Sequence, residues 1–333
     1  MLAEVKEIKE VKKKVTAYDN IFRETDYTKR TMQAQNATDK FYDLFTEFYE
    51  RGWGQSFHFA PRFDGEDFHA SIVRHEHFLA SRLALSPNDN VLDVGCGVMG
   101  PARNIARVSG AKITGLTINH HQIARCKKLN GASSVGSLLD VKQGDFMNIP
   151  YPDNSFDKMY AIEALCHAPN VTDVYKQILK KLKPGGKACF YEWAMTDKYN
   201  PADNEHVRIK EMIEYGNSIT RLCTVKELDK AISDAGFIRE ETVDLANTNH
   251  YGNDFPWYAT LESGWSLSQI RHTKASRTIM RYLLRALETL GLVKKGVVRT
   301  QQILLVAADG LVAGGRLGIF TPMYLVVVRK PGN

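Results

Sequence analysis

Asn90-Val-Leu-Asp93-Val-Gly95-Cys-Gly97-Val-Met-Gly100 decides the fold. Val91, Leu92 and Val94 make a short buried strand that runs into a glycine turn, and residues 100–108 then read as a helix. Downstream the alternation repeats. Lys112–Ile118 reads as a second strand, His120–Asn130 as a helix, and Leu138–Lys142 as a third strand. Phe156–Ala161 is the fourth, followed by a helix from about Val171 to Leu182, a turn at Lys183-Pro-Gly-Gly186 and a fifth strand, Ala188–Trp193. Leu228–Ala235 reads as a helix closed by Gly236, Phe237–Leu245 as a sixth strand and Met323–Arg329 as the last. Alternating strands and helices predict an α/β fold with a mostly parallel seven-stranded sheet and right-handed crossovers. Residues 246–321 are too long for a plain connection, so they read as a helical insert with its own task.

The spacing G-x-G-x-x-G is shared by many nucleotide-binding turns, and two details narrow it. Asp93 sits two residues before the first glycine, where it would repel a pyrophosphate but welcome a cationic amino-acid end. Residues 111–125 hold no acid, so the residues that would read ribose hydroxyls are neutral: Thr117, Asn119 and Gln122. After the third strand, Gly144-Asp145-Phe146 offers an acceptor for an adenine amino group and a ring to stack on it. Asp93, Gly95, Cys96, Gly97, Gly144, Asp145 and Phe146 together describe a site for S-adenosyl-L-methionine, leaving as S-adenosyl-L-homocysteine. Glu163, after the fourth strand, stands beside the expected mouth of that site. Residues 41–63 are dense in aromatic side chains, which reads as a hydrophobic plug or as the wall of an apolar ligand pocket.

Several segments resemble one family. VLDVGCG (91–97), TGLTIN (114–119), GDFMNIPYPDNSFD (144–157) and LKPGG (182–186) resemble class I, Rossmann-like S-adenosylmethionine methyltransferases. YERGWGQSFHFAPRF (49–63), RHEHFLA (74–80), IEALCHAP (162–169), YEWAMTDKYNPADNEH (191–206) and GLVAGGRLGIFTPMYLVVVRKP (310–331) resemble sterol C-methyltransferases. The resemblance implies methyl transfer to carbon 24 of a sterol side-chain alkene, through a carbocation that rearranges and loses a proton. Such a site must align the alkene, tolerate a cation without water, and hold a weak base. Tyr49, Trp53, Phe57, Phe59, Tyr191 and Trp193 are the candidate substrate wall. Glu50, Glu76 and Glu163 are the candidate acids, and His58, His75 and His167 the candidate bases, with Tyr49 beside them. Cys166 reads as packing, because methyl transfer needs no nucleophile. Met99 stands where the family has glycine, Arg51 where it has an aromatic residue, and Leu165 where it has threonine. Tyr215–Thr220 also departs from the family pattern. Methylation at carbon 4 of a 3-keto sterol, methylation of an acyclic triterpene, and a lipid-binding protein without turnover stay open.

The resemblance divides the chain into an aromatic cap (1–75), a cofactor-binding core (76–195) and a C-terminal sterol methyltransferase region (196–333). Composition frames the rest. The 333 residues are 44% hydrophobic and 25% charged, which excludes disordered and disulfide-scaffold classes. The five cysteines form no CxxC pair, so a reducing compartment and no metal site are expected. MLAEVKEIKEVKKK has no apolar stretch of signal-peptide type, and no apolar run of spanning length is expected. Net charge is +6, and residues 271–299 hold eight Lys or Arg against one acid, Glu288. No Asn-Pro-Pro-Tyr type segment follows the fourth strand, so nucleic acid is not an expected partner. Within Leu267–Leu290, an apolar stripe (Ile279, Met280, Leu283, Leu284, Leu287, Leu290) lies beside Arg277, Arg281 and Arg285. That pattern reads as an interfacial helix at a membrane or lipid-droplet surface, or as a face packed on the sheet or on a second subunit of a homo-oligomer, with solvated arginines. A sterol substrate implies peripheral attachment to the cytoplasmic face of the endoplasmic reticulum or to a lipid droplet, or otherwise a cytoplasmic location.

Overall fold

The structure is a computed structural model that describes residues 16–39, 41, 50, 53–247, 255–262, 274–293 and 296–332. Seven strands form one sheet: β1 (Asn90–Val94), β2 (Lys112–Thr117), β3 (Leu139–Gln143), β4 (Phe156–Ile162), β5 (Leu182–Met195), β6 (Ile238–Asp244) and β7 (Phe320–Arg329). Their order is β3-β2-β1-β4-β5-β7-β6. β1 pairs in parallel with β2 and with β4, and only β7 runs against its neighbours. The chain order reverses between β1 and β4, and open α/β sheets form their crevice at that switch point.

Both faces of the sheet are covered, so its strands read as continuous apolar runs. Adjacent residues go to opposite faces. Val91, Tyr160, Cys189 and Leu325 belong to one buried layer, whereas Leu92, Met159, Phe190 and Val326 belong to the other. The first layer is closed by α1 (Phe68–Arg82), α2 (Gly100–Ser109) and α3 (His120–Gly131), with α5 (Asn204–Gly216) beyond them. The second is closed by α4 (Val171–Lys181) and α6 (Val225–Ala235). Asp67 caps α1 through the Nα groups of His69 and Ala70, and Thr224 and Glu227 form a reciprocal cap on α6.

Two strands start earlier than their sequence predicts. β5 begins at Leu182 and absorbs Lys183-Pro-Gly-Gly186 as a bulge, so the β4–β5 register jumps from Phe156↔Leu182 to Lys158↔Lys187. β7 begins at Phe320 although it contains Pro322. The proline falls where the β5–β7 register shifts between Glu192 and Ala194, so its missing N–H breaks no ladder bond. The glycine turn also differs. Met99 holds a left-handed conformation (φ 60°) with its side chain fully buried. Its sulfur meets Asn130 Nδ2 at 3.2 Å, and a Cβ on Gly115 would come within 2.9 Å of it. The side chain that replaces a family glycine is therefore taken up by the core.

The insert contributes α7 (Lys274–Thr289) and α8 (Val297–Leu317). By length and composition α8 could cross a membrane, which the sequence reading did not anticipate because Gly, Ala and polar residues interrupt its apolar run. Much of it is buried in the protein. Gly216 and Gly310 let α5 and α8 approach so closely that a Cβ on Gly216 would meet Ala307 Cα at 2.5 Å. The division at 195 falls at the end of β5, whereas the one at 75 falls inside an element. α1 spans residue 75, and β6 and β7, from the C-terminal third, complete the core sheet.

Candidate active site

A cavity of about 330 Å³ opens at the C-terminal ends of β1, β2 and β4. Asp93, Gly95, Cys96 and Gly97 line it from the first turn, Thr117 and Gln122 from the second, and Gly144, Asp145 and Phe146 from the third. Gly95 is required by packing, since a Cβ there would meet Ala164 Cβ at 2.5 Å. Tyr160 donates to Asp93 Oδ2 at 3.0 Å, while burial raises Asp93 to about 7. Thr38 Oγ1 and Gln122 Nε2 are buried in this lining without a hydrogen-bond partner among the described residues. Such orphaned polar atoms, facing a carboxylate at one end and Phe146 at the other, fit a polar ligand with a cationic end, as S-adenosylmethionine is. Asn119 does not line the cavity. It caps α3 through Gln122 N and holds Asp39 through its side-chain amide at 3.0 Å.

A second cavity of about 370 Å³ lies beside the first and is mostly apolar. Trp53, Phe59 and Trp193 form one wall, as expected, with Trp53 and Phe59 packed edge to face at 5.1 Å. Phe57, His58, Glu163 and His167 line both cavities. These four residues are the boundary across which a group must pass from one ligand to the other.

Glu163 occupies that boundary under backbone strain, with φ 53°. Phe59 N and Trp193 Nε1 each donate to its carboxylate at 2.7 Å. Burial nevertheless raises it to about 8, against the opposing pull of His58 and these donors. Both ring nitrogens of His58 face acceptors: the Phe59 carbonyl at 2.7 Å and Glu76 Oε1 at 3.2 Å. Protonated, the ring donates at both. Burial opposes that charge, but Glu76 and then Glu163 outweigh it and raise the His58 pKa. Ser56 Oγ and Asn104 Nδ2 complete the Glu76 shell at 2.6 and 2.7 Å. His167 Nδ1 meets the Ser218 carbonyl at 3.1 Å, and burial lowers the ring to about 4, so it is neutral at pH 7.

Several predicted residues do not reach a cavity. Glu76 lies beneath His58 and acts through it. His75 stacks on Tyr191 at 3.9 Å, and burial depresses its pKa well below the usual value. Tyr191 donates to the His75 carbonyl at 2.9 Å and belongs to the buried core rather than the substrate wall. Glu50 lines neither cavity and pairs with Arg125 on α3 at 2.7 Å. Tyr49 and Arg51 lie outside the described residues. Burial pushes the Cys96 and Cys166 thiols well up, in keeping with packing.

Sequence reasoning missed two groups. Thr31, Met32, Gln35 and Thr38 cover the cofactor cavity from the N-terminal segment. Arg30 anchors that segment through Glu214 Oε2 and the Thr220 carbonyl, both at 2.7 Å. Gln301, Leu304, Leu305, Ala308 and Leu311 on α8 complete the apolar cavity, joined by Asn217 and Ile219 from the segment that departs from the family pattern. The length of the insert was the only signal for the α8 residues.

Comparisons with known proteins agree with this geometry. The family described as methyltransferase domain matches residues 92–190, and that described as sterol methyltransferase C-terminal matches residues 267–332. Cycloartenol-C-24-methyltransferase 1 of Oryza sativa subsp. japonica is 47% identical over 91% of this chain and 88% of its own length. Sterol 24-C-methyltransferase ERG6 of Saccharomyces cerevisiae is 43% identical over 92% of this chain and 82% of its own. Among solved structures, geranyl diphosphate C-methyltransferase from Streptomyces coelicolor A3(2), in complex with Mg2+, geranyl-S-thiolodiphosphate and S-adenosyl-L-homocysteine, superposes with a TM-score of 0.64. It is 13% identical and covers 89% of this chain and 98% of that one, a likeness of fold. Two adjoining cavities on a class I methyltransferase sheet, and sequence identity running through both, place this chain in the sterol 24-C-methyltransferase family of S-adenosylmethionine-dependent enzymes.

Proposed function

We propose that this chain methylates carbon 24 of a sterol side chain at a double bond. One observation carries the reading: a polar cavity suited to the cofactor and an apolar cavity suited to a sterol share the wall Phe57, His58, Glu163 and His167. Asp93 would hold the amino-acid end of S-adenosylmethionine, Asp145 and Phe146 the adenine, and Thr117 and Gln122 the ribose. When bound, the cofactor supplies a methyl group made electrophilic by its sulfonium.

The protein's own part is positional and electrostatic. Trp53, Phe59, Trp193 and the aliphatic face of α8 exclude water and hold the apolar substrate against the shared wall. Glu163 ionises more readily when a cation approaches, because the burial that raises its pKa is then offset by attraction. It thereby stabilises positive charge developing on the substrate, aided by aromatic faces worth about 0.5–2 kcal/mol each. His58, held by Glu76, fixes the Phe59 turn through the Phe59 carbonyl. His167, neutral at pH 7, is the proton acceptor on this reading.

The test is incubation with labelled S-adenosylmethionine and a panel of 24-alkene sterols, 3-keto sterols and squalene, with methyl positions assigned by mass spectrometry. Product labelled at carbon 24 supports the reading, whereas label at carbon 4 or in the acyclic substrate overturns it. Glu163→Gln should lower turnover by about 100-fold or more, with a much smaller loss of cofactor affinity.

A further inference from the structure

We propose that the outward side of α7 docks on an anionic phospholipid bilayer, so that the apolar cavity behind α8 faces the leaflet that holds the sterol. The proposal rests on the sterol reading for its substrate but stands on its own geometry. An ordinary amphipathic helix turns its apolar stripe to the core. α7 does the reverse. Ile279, Tyr282 and Leu283 are 68%, 58% and 49% exposed, and Leu290 and Leu292 in the following turn are 70% and 69% exposed. Six of the twelve large apolar side chains exposed among the described residues fall within 279–292, which makes a patch rather than scatter.

The polar residues show which way the helix faces. Arg277 turns inward to α8, where its Nη1 meets Asp309 Oδ1 at 2.6 Å. Glu288, the one acid of residues 271–299, also turns inward and accepts from Gly296 N at 3.0 Å at the start of α8. Arg285 remains exposed and makes no ion pair with a described residue, whereas Arg281 is half-buried, its Nε shielded from solvent and its guanidinium 5.5 Å from the Tyr282 ring centre. The outward side is therefore apolar with Arg285 at its edge and no exposed acid on the helix, the pattern of a helix lying in the headgroup region of an anionic surface. A second copy of the chain is a poorer occupant, since two chains of net charge +6 repel each other whereas an anionic surface attracts each. Continuity with the site supports the bilayer. α8 receives α7 through Asp309 and gives Leu304, Leu305 and Ala308 to the cavity.

The experiment is flotation of the full chain with phosphatidylcholine vesicles, with and without phosphatidylserine, together with turnover of sterol supplied either in vesicles or on cyclodextrin. The parent should float with the phosphatidylserine vesicles, and less at high salt. Ile279→Ser/Leu283→Ser, at exposed positions, should lower partitioning by about tenfold or more and lower turnover of vesicle sterol, with cyclodextrin turnover retained. Arg285→Glu should weaken binding several-fold, and only at low salt. If the double variant floats like the parent, the proposal is wrong. It is equally wrong if the parent never floats and the double variant turns a dimer into a monomer in sedimentation velocity, which would make the patch a self-interface. Absence of turnover with sterol in either form would instead remove the functional reading and leave flotation to decide docking.

Discussion

The two cavities are built by opposite strategies. The cofactor cavity takes Asp93, Thr117, Gln122 and Asp145 from three short stretches, 93–97, 117–122 and 144–146, at the ends of successive parallel strands, and residues 31–38 only cover it. The apolar cavity gathers residues 53–59, 163–167, 193, 217–219, 260–261 and 301–311, so its wall closes only when both ends of the chain have packed. A ligand common to many enzymes is met by a local motif, and a ligand particular to one family by distant segments folded over that motif.

The largest effect expected on this comparison lies at the boundary. Glu76→Ala removes the carboxylate that pairs with the buried His58 ring, and losing one partner of a buried pair costs about 3–5 kcal/mol. Chemical denaturation should show that loss, and an unchanged midpoint would break the reading of Glu76 as the partner that holds the buried His58 ring. The two cavities should next respond separately. Ala308→Phe on α8 should reduce kcat/KM for the sterol by about tenfold while calorimetry finds cofactor affinity preserved. Asp93→Asn should do the converse, weakening cofactor binding by about tenfold, with a smaller loss for Asp145→Ala. Equal losses on both sides in either variant would mean that the cavities are one site.

The pH dependence of stability sharpens the contrast further. Burial raises Glu163 and Glu192 to about 8 and Asp93 to about 7, so the fold without cofactor holds protons that the unfolded chain releases. Their stabilising contribution is full below the ordinary carboxylate values and is lost as pH rises through 7 to 8. His58, also raised, acts in the same direction. His75 and His167 are depressed and act oppositely, but their window lies below the ordinary value of 6.5. Between about pH 6.5 and 8, stability should fall by up to about 1.4 kcal/mol per pH unit for each proton lost, and Tm with it, levelling off above pH 8. Cationic cofactor should flatten the share due to Asp93 and Glu163. Glu192, which accepts from Tyr175 within the core, keeps its share until Glu192→Gln removes it. A slope indifferent to cofactor would separate Asp93 and Glu163 from the ligand's charge. The smallest effect belongs to Glu50→Ala. Its partly exposed pair with Arg125 is worth about 1 kcal/mol or less, and turnover should be unchanged.

The sheet was legible because Val91–Val94, Lys112–Thr117 and Phe156–Ile162 each carry their fate in a local apolar run bounded by a turn. The cofactor side was legible for the same reason, as glycines, an acid and a ring recur at fixed offsets from strand ends. Asn119 does not line the cavity because a side chain at the start of a helix is also placed to cap it, and here it caps. His75, Glu76 and Tyr191 matched family segments yet face the interior, since a motif records which residues stand together and says nothing of which one reaches the ligand. Pro322 in β7 and Met99 in a left-handed turn each break a local rule, and each is made tolerable by a partner far along the chain: the bulge beside Trp193, and the space left by Gly115. The sequence alone determined the succession of strands and helices, the cofactor and the kind of chemistry, because those are carried by runs and turns within a few tens of residues. Only the tertiary structure decided which of the three candidate acids, Glu50, Glu76 and Glu163, lines the apolar cavity, which helix walls that cavity and which side of α7 faces outward. Those outcomes depend on packing between segments that the chain keeps more than a hundred residues apart.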